Sequence, residues 1–582
     1  MDSSEIRTRF LEFFREQGHA VVPSSSLIPD DPSVLLTTAG MQQFKKYYTG
    51  EADPMRDFGS RNTASAQKSF RTSDIDEVGD ERHLTFFEML GNFSFGGYGK
   101  TEAIRFAYEF ITDAMGLKIS YVTIFQGSST VPQDEESRAI WQALGVADIR
   151  EEGMNDVFWG PTGSSGPCGP TTEIYCKNAA GQDIEIWNIV FNQFFYPGSR
   201  EELLAGTPDK ELQPLATFGV DTGMGLERLA MASQKTNTIF ETDLFAPLLA
   251  LLPRELDERK RRIIGDHTRA ATFLIADGVR PSNRAAGYIL RRLMRRVFAL
   301  ERLAAIPPHV IGAVVHEVIH DYGDAYPELK REGETIRREF DAEREKFLKT
   351  LDAGMKEFGR LPAVGATEAF TLYQSYGMPF EVIKELDPQK TAALTRDAFD
   401  REFTKHQEIS RAGAEKKFGG HGLVLDTGEL KAKDEAELEK VTRLHTATHL
   451  LHQALRTVLG DSVHQMGSDI TAERTRFDFA FDRKLTPDEL KSVEELVNQQ
   501  VARDLPVTKA ELPIEEAKKT GALYFFKEKY PEQVNVYSVG DFSKEFCGGP
   551  HVTHTGQIGH VRIVKEEASS AGVRRIRAIV EG

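Results

Sequence analysis

The chain has 582 residues, 72 basic against 89 acidic, and a net charge of −17. That balance excludes a wholly basic nucleic-acid-coating protein, though not a local basic face. With 40% hydrophobic and 28% charged residues, it reads as a soluble globular chain of several domains, at roughly 100–200 residues each.

Residues 3–17 are expected to form an amphipathic helix, capped by Ser3 or Ser4, with Ile6, Phe10, Phe13 and Phe14 on one face. Residues 19–100 are dense in Gly, Pro, Ser and aromatics, as loops and short strands would be. A helix is expected over 101–116, and Ile184–Asn192, rich in β-branched and aromatic residues, reads as a strand. From about 243 to 360 the pattern is mostly helical. In 330–358, Ile336, Phe340, Phe347, Leu351, Met355 and Phe358 mark one buried stripe. Residues 405–440 are polar, hold five Gly and read as a linker. Mixed helix and strand return over 441–582.

Three cysteines, Cys168, Cys176 and Cys547, cannot build a disulfide framework and point to a reducing, cytoplasmic setting. No segment approaches the ~20 apolar residues of a membrane span, and the start MDSSEIRTRF lacks an apolar signal core. No membrane partner is expected.

Residues 259–302 carry 12 Lys/Arg against 3 acidic residues. Within them Arg291, Arg292, Arg295 and Arg296 fall at i, i+4 spacing, so a helix stacks the guanidinium groups into a stripe. An anionic polymer would relieve their repulsion and release counterions; a solvated face neutralised by acidic neighbours is the other reading.

His445 and His449 form an HxxxH with apolar flanks at helical spacing, so both imidazoles leave one face about a turn apart. Position 446 is Thr, which excludes the HExxH of a metalloprotease. About a hundred residues on, Cys547-Gly-Gly-Pro-His551 cannot continue a helix, so Cys547 and His551 converge from a tight loop. Three imidazoles and one thiolate suit Zn²⁺. Four protein ligands describe a closed structural site, and one loose ligand would open a position for water or substrate.

Longer strings carry a resemblance. SSSLIPDDPSVLLTTAGMQQFKKYYTG (24–50), RHLTFFEMLGNFSFGGYGK (82–100), EIWNIVFNQF (185–194), GVDTGMGLERL (219–229) and FLIADGVRPSNRAAGYILRRLMRR (273–296) resemble the alanyl-tRNA synthetase family, of class II. So do HTATHLLHQALR (445–456), GDFSKEFCGGPH (540–551) and AGVRRIRAI (571–579). The resemblance implies an α+β chain. A class II catalytic domain over 1–235 has an antiparallel sheet with flanking helices. A helical domain recognising the tRNA acceptor stem follows over 236–404, then the linker 405–440 and an α+β zinc-dependent editing domain over 441–582.

The implied reaction is alanine–tRNA ligation. ATP and L-alanine give alanyl-adenylate, and the alanyl group passes to the 3′ end of tRNA(Ala). The implied catalytic residues are Arg71 on the α-phosphate and the alanine carboxylate, Arg228 stacked on adenine, and Asp221 on the ammonium. Trp159, Asn188, Val220 and Gly223 would shape a methyl-sized pocket, with His83 near phosphate and Mg²⁺ accompanying ATP. Such a pocket cannot exclude glycine and rejects serine weakly. Hence a second site holding zinc on His445, His449, Cys547 and His551, with Gln465 in its pocket, would hydrolyse seryl- and glycyl-tRNA(Ala). Asn283 would read the G·U pair of the acceptor stem, with Gln374 where the family commonly has Asp and the arginines 291–296 beside it.

Compared with the family, the loop after Arg71 is short, the barrel before the editing core is missing, and no C-terminal coiled coil follows. A compact form is expected, monomer favoured over dimer. The short loop motivates an alternative: a paralogue with an inactive ligase head that acts as a tRNA-binding, trans-editing deacylase.

Overall fold

The computed structural model describes residues 1–31, 33–405, 435–524, 533–570 and 572–581. The chain divides into two compact units, Met1–Glu402 and Phe403–Gly582. No helix among the described residues is long and apolar enough to cross a membrane.

The first unit is built on a nine-stranded sheet. Its strands are β1 (Ala20–Val21), β2 (Asn62–Phe70), β3 (Phe86–Phe95), β4 (Ile119–Phe125), β5 (Ile149–Glu152), β6 (Phe158–Trp159), β7 (Gly166–Lys177), β8 (Asp183–Tyr196) and β9 (Gln213–Gly225). The order is β1-β2-β3-β9-β8-β7-β4-β5, with β6 paired to β7. The expected antiparallel sheet is present, but β1 runs parallel to β2 and β4 parallel to β5.

The reading of 19–100 as loops and short strands needs correction, because β2 and β3 are nine and ten residues long and both are interior strands of the sheet. Both faces of β2 are buried, and Thr63, Ser65, Gln67 and Ser69 are among its buried side chains. A strand covered on both faces has no need of apolar–polar alternation, so its period is hidden. By contrast, β8 is recognised from its β-branched and aromatic run.

The helix Ser3–Glu16 forms as expected, but its cap is Asp2, whose carboxylate accepts from the Glu5 amide at 2.8 Å. Ser3 instead donates to Asp243 Oδ2 at 2.7 Å. Phe10 and Phe14 pack against Trp187 of β8, with Phe110 edge-on to Phe10.

The helical region includes Glu258–Ala276, Ala285–Leu303, Pro308–Tyr322, Gly333–Arg360, Ala366–Tyr376 and Phe380–Leu386. Ile336, Phe340, Phe347, Leu351 and Phe358 are buried on one stripe of Gly333–Arg360, as their spacing predicts. The region is joined to the sheet by buried contacts. Phe86 stacks on Phe273 at 4.0 Å, Arg269 pairs with Glu227 at 3.0 Å, and Thr85 Oγ1 donates to Asp266 Oδ2 at 2.6 Å. The expected boundary at 235/236 therefore falls inside one compact unit.

In the second unit the helices Glu435–Leu459 and Pro487–Ala502 accompany two sheets. The strands are β10 (Gln465–Ile470), β11 (Thr475–Ala480), β12 (Val507–Pro513), β13 (Gln533–Val539), β14 (Ser543–Phe546), β15 (His560–Ser570) and β16 (Val573–Glu581). They form the antiparallel orders β10-β11-β16-β15 and β12-β13-β14. Leu450, Leu451 and Leu455 from the first helix meet Phe477, Phe479 and Ile576 in the core. Of the expected linker 405–440, residues 406–434 lie outside the described residues, and 435–440 already belong to the helix Glu435–Leu459.

Candidate functional site

A cleft of about 270 Å³ opens over the middle of the large sheet. Strand alternation decides what it meets: Asp221, Gly223 and Gly225 of β9, Ile186, Asn188 and Val190 of β8, Glu173 of β7, and Phe87 and Met89 of β3. Register sets Glu173 opposite Asn188 and Asn188 opposite Gly223. Arg71, Arg82, His83, Trp159, Arg200 and Arg228 complete its polar and aromatic lining.

Asp221 is 4% exposed and makes no hydrogen bond or ion pair among the described residues. Burial pushes its carboxyl up to about 7. Such a group is stabilised in its charged form by an incoming cation. A Cβ at Gly223 would lie 3.0 Å from Met89 Sδ, so glycine keeps the cleft open at this point. Asn188 Nδ2 donates to Glu173 Oε1 at 2.8 Å, and the Tyr175 hydroxyl donates to Glu173 Oε2 at 2.9 Å. Burial, with Glu185 nearby, pushes the Glu173 carboxyl up to about 8.

The Arg71 guanidinium lies 5.0 Å from the Phe87 ring centroid and 6.0 Å from that of Trp159, with no carboxylate partner. Burial pulls its pKa down, with Asp74 opposing and Arg228 adding to the shift. Arg228 lies in the first turn of the helix Leu226–Gln234 and pairs with Glu185 at 2.8 Å. His83 Nδ1 meets Asp80 Oδ2 at 2.5 Å. A buried anion, Asp221, and a half-buried cation, Arg71, neither ion-paired among the described residues, thus face a single small cleft, a suitable receptor for a zwitterion beside a phosphate.

In the second unit, one ligand atom from each of His445, His449, Cys547 and His551 lies within 4.8 Å of the others. Helical spacing supplies the first two residues, and the loop after β14 supplies the other two. Cys547 Sγ is 3.2 Å from His445 Nε2 and 3.5 Å from His551 Nε2. His445 Nδ1 lies 3.0 Å from the Pro550 carbonyl, which can only accept, so Nδ1 carries the proton and Nε2 the lone pair. Thr446 Oγ1 lies 3.1 Å from His551 Nδ1. Burial, with His449 nearby, pushes His445 down to about 3, and burial lowers His449 and His551 as well. Neutral imidazoles and a thiol in this compass form a donor set that fits a tetrahedral, zinc-type ion.

A second cavity of the first unit, about 430 Å³, is a groove among the helices. Asn283, Arg291, Arg292, Arg295 and Gln374 line it, together with Tyr288, Tyr373, Lys346 and Arg396. Arg291 donates to Asn283 Oδ1.

Residues 5–469 match the family of class II (A) tRNA synthetases, and 534–577 match the second additional domain of threonyl and alanyl tRNA synthetases. The alanine–tRNA ligase of Treponema pallidum (strain Nichols) is 43% identical, over 100% of this chain and 98% of its own length. The chain belongs to the alanine–tRNA ligase family of class II synthetases. The alanine–tRNA ligase of Borrelia garinii is 41% identical, with both chains covered completely. That of Rubrobacter xylanophilus is 36% identical, with 79% of its length covered.

Most residues expected from the resemblance to this family do converge. Arg71, His83, Trp159, Asn188, Asp221, Gly223 and Arg228 line one cleft, and the four metal-type ligands meet. Val220 is a correction: pairing with Ser94 and Phe191, it alternates with Asp221, is fully buried and does not line the cleft. Val190 lines it instead. Gln465 opens β10 and donates to Ser468 Oγ at 3.2 Å, and it makes no hydrogen bond to the metal-type cluster among the described residues.

The arginine stripe is also corrected. Arg296 is 1% exposed, donates to the Ile75 carbonyl at 3.0 Å and pairs with Glu385 at 2.7 Å. Arg292 pairs with Asp76 and Glu381, and Arg295 with Glu343. Burial and specific carboxylates thus neutralise what the spacing suggested was an open cationic face.

The sequence reading missed Arg200, which donates to the carbonyls of Phe158 and Asn155 and so holds the Trp159 loop. It missed Glu545, buried between His449 (3.8 Å) and His452 (3.0 Å). A third histidine one turn beyond the HxxxH was the available signal for that network.

Proposed function

We propose that the chain activates alanine with ATP in the sheet cleft, transfers it to the 3′ end of tRNA(Ala), and proofreads the product in its second unit. The single observation that carries the reading is that buried Asp221 and half-buried Arg71, opposite charges with no ion pair among the described residues, line one cleft. Asp221 takes the alanine ammonium. Arg71 forks across the alanine carboxylate and the α-phosphate, as a planar guanidinium does well. A carboxylate oxygen attacks the α-phosphorus, its bond to pyrophosphate breaks, and pyrophosphate leaves. The protein supplies placement and charge neutralisation. Arg228 stacks on adenine, His83 faces phosphate, and Mg²⁺ arrives with ATP. A terminal tRNA hydroxyl then attacks the alanyl carbonyl and AMP leaves.

The groove lined by Asn283 and Gln374 takes the acceptor stem, whose phosphates need cations and whose G·U edge an amide can match with donor and acceptor. In the second unit, His445, His449, Cys547 and His551 would hold zinc, which would supply Lewis acidity for hydrolysis of seryl- and glycyl-tRNA(Ala), and the four ligands tie helix to loop. His445 is oriented for this by Pro550. Three free cysteines suit a cytoplasmic protein. A head without activation is not favoured, because relatives matching the whole chain are alanine–tRNA ligases.

ATP–pyrophosphate exchange tests the reading. Alanine should drive exchange, with serine and glycine weaker. No exchange at any alanine concentration would reject it.

A further inference from the structure

The loop between β2 and β3 touches both cavities of the first unit. On one side Asp74, Arg82 and His83 line the activation cleft. On the other, Asp76 is held by two arginines of the groove. Arg292 Nη2 lies 2.6 Å from Asp76 Oδ1, and Arg396 Nη2 lies 3.3 Å from Asp76 Oδ2. The same two guanidiniums share Glu381 Oε1, at 2.5 and 3.2 Å. Arg292, Arg396 and Glu381 line the groove with Asn283 and Gln374.

The neighbouring turn of this loop is pinned by Arg296 on the Ile75 carbonyl (3.0 Å), and its base by the Arg71 amide on the Thr85 carbonyl (2.9 Å). Two groove cations are therefore anchors of the loop that carries Arg71. Arg292 and Arg396 share two carboxylates, and Arg396 also faces the exposed Asp400 at 3.6 Å, so a phosphodiester entering the groove must compete for N–H donors already in use. Of the two carboxylates, Glu381 is 5% exposed and Asp76 37%. Asp76 can return to water and Glu381 cannot, so Asp76 is the one that yields.

We propose that Asp76 is a positioning residue through which an RNA phosphodiester in the groove acts on ATP binding in the cleft. This rests on the assignment of the two cavities made above. When the phosphate takes Arg292 and Arg396, Asp76 is released. The segment that begins at Arg71 and passes through Asp74 then settles differently against ATP.

The test is alanine-dependent ATP–pyrophosphate exchange with and without a duplex copying the tRNA(Ala) acceptor stem but lacking the 3′ adenosine, so that no transfer occurs. Duplex binding is followed separately by fluorescence anisotropy. In the wild-type chain, saturating duplex should change the KM for ATP by about fivefold or more, within the usual range of coupling between sites. Asp76→Asn should shift that KM without duplex and make it indifferent to duplex, with kcat moved less than KM. Arg396→Gln, at the groove end of the tie, should do the same and serves if the first variant fails to fold. The proposal is overturned if bound duplex leaves the wild-type KM unchanged, or if both variants respond to duplex as the wild type does. Absence of wild-type exchange, or of duplex binding, would instead defeat the assignment of the cavities.

Discussion

The guanidinium of Arg71 lies 5.0 Å from the centroid of the Phe87 ring and makes no ion pair among the described residues. An aromatic face holds a cation without quenching its charge, so Arg71 is kept in place and available to an anion. Replacing it tests whether the forked geometry matters in addition to the charge. Arg71→Lys keeps a cation but loses the bidentate contact, and exchange should fall about 100-fold. The melting temperature should move by no more than about 2 °C, because no ion pair is broken. A rate near that of the wild type would remove Arg71 from the reaction.

Asp221 sets a pH dependence. Its carboxyl is pushed up to about 7 by burial, and only its ionised form holds an ammonium. The KM for alanine should therefore rise as pH falls through 7, approaching tenfold per unit, while the KM for ATP changes less. The stability effect has the opposite sense. A carboxyl whose pKa is raised by folding contributes stability at low pH that is lost as pH climbs from the ordinary carboxylate range to about 7. Asp221→Asn should thus melt above the wild type at pH 8 and not at pH 4, while losing alanine exchange. Equal melting curves at both pH values would contradict the buried, unpaired carboxylate.

Cys547 joins helix and loop through the metal-type cluster. Cys547→Ala should reduce zinc, measured by elemental analysis, from about one ion per chain to none. Seryl-tRNA(Ala) should then accumulate in charging assays with serine. Alanine exchange should persist, since the activation cleft lies in the other compact unit. Parallel loss of exchange and zinc would show that the units do not act independently.

Asn283 and Arg296 come from one sequence string but have different surroundings. Asn283 is exposed at the groove, and Arg296 is buried against Glu385 and the Ile75 carbonyl. Asn283→Ala should raise the KM for tRNA about tenfold and spare the exchange rate. Arg296→Gln should lower the melting temperature by about 5 °C or more, because it removes a buried guanidinium and its bonds to the Ile75 carbonyl and Glu385. If Arg296→Gln melts like the wild type and weakens only tRNA binding, the burial argument is wrong.

The residues of both sites were legible in the linear sequence where chemistry concentrates in short strings. Asp221 and Gly223 sit two apart on β9, so one face of one strand delivers both. His445 and His449 sit four apart on a helix. Asp221 and Gly223 were indicated by the family resemblance, whereas periodicity alone accounts for the histidine pair. It also exposed the stripe of Gly333–Arg360 and the run in β8.

Other features depended on contacts between distant segments. Strand β2 reads as loop because both its faces are covered, and Val220 was misplaced by one step of strand alternation. The arginines at 291–296 read as an open cationic stripe. Only folding shows that Asp76, Glu343, Glu381 and Glu385, 48 or more residues away in the chain, neutralise them. Sequence spacing determined which side chains share a face. Tertiary packing decided which faces meet water, because burial and charge pairing are set by segments that no local pattern brings together.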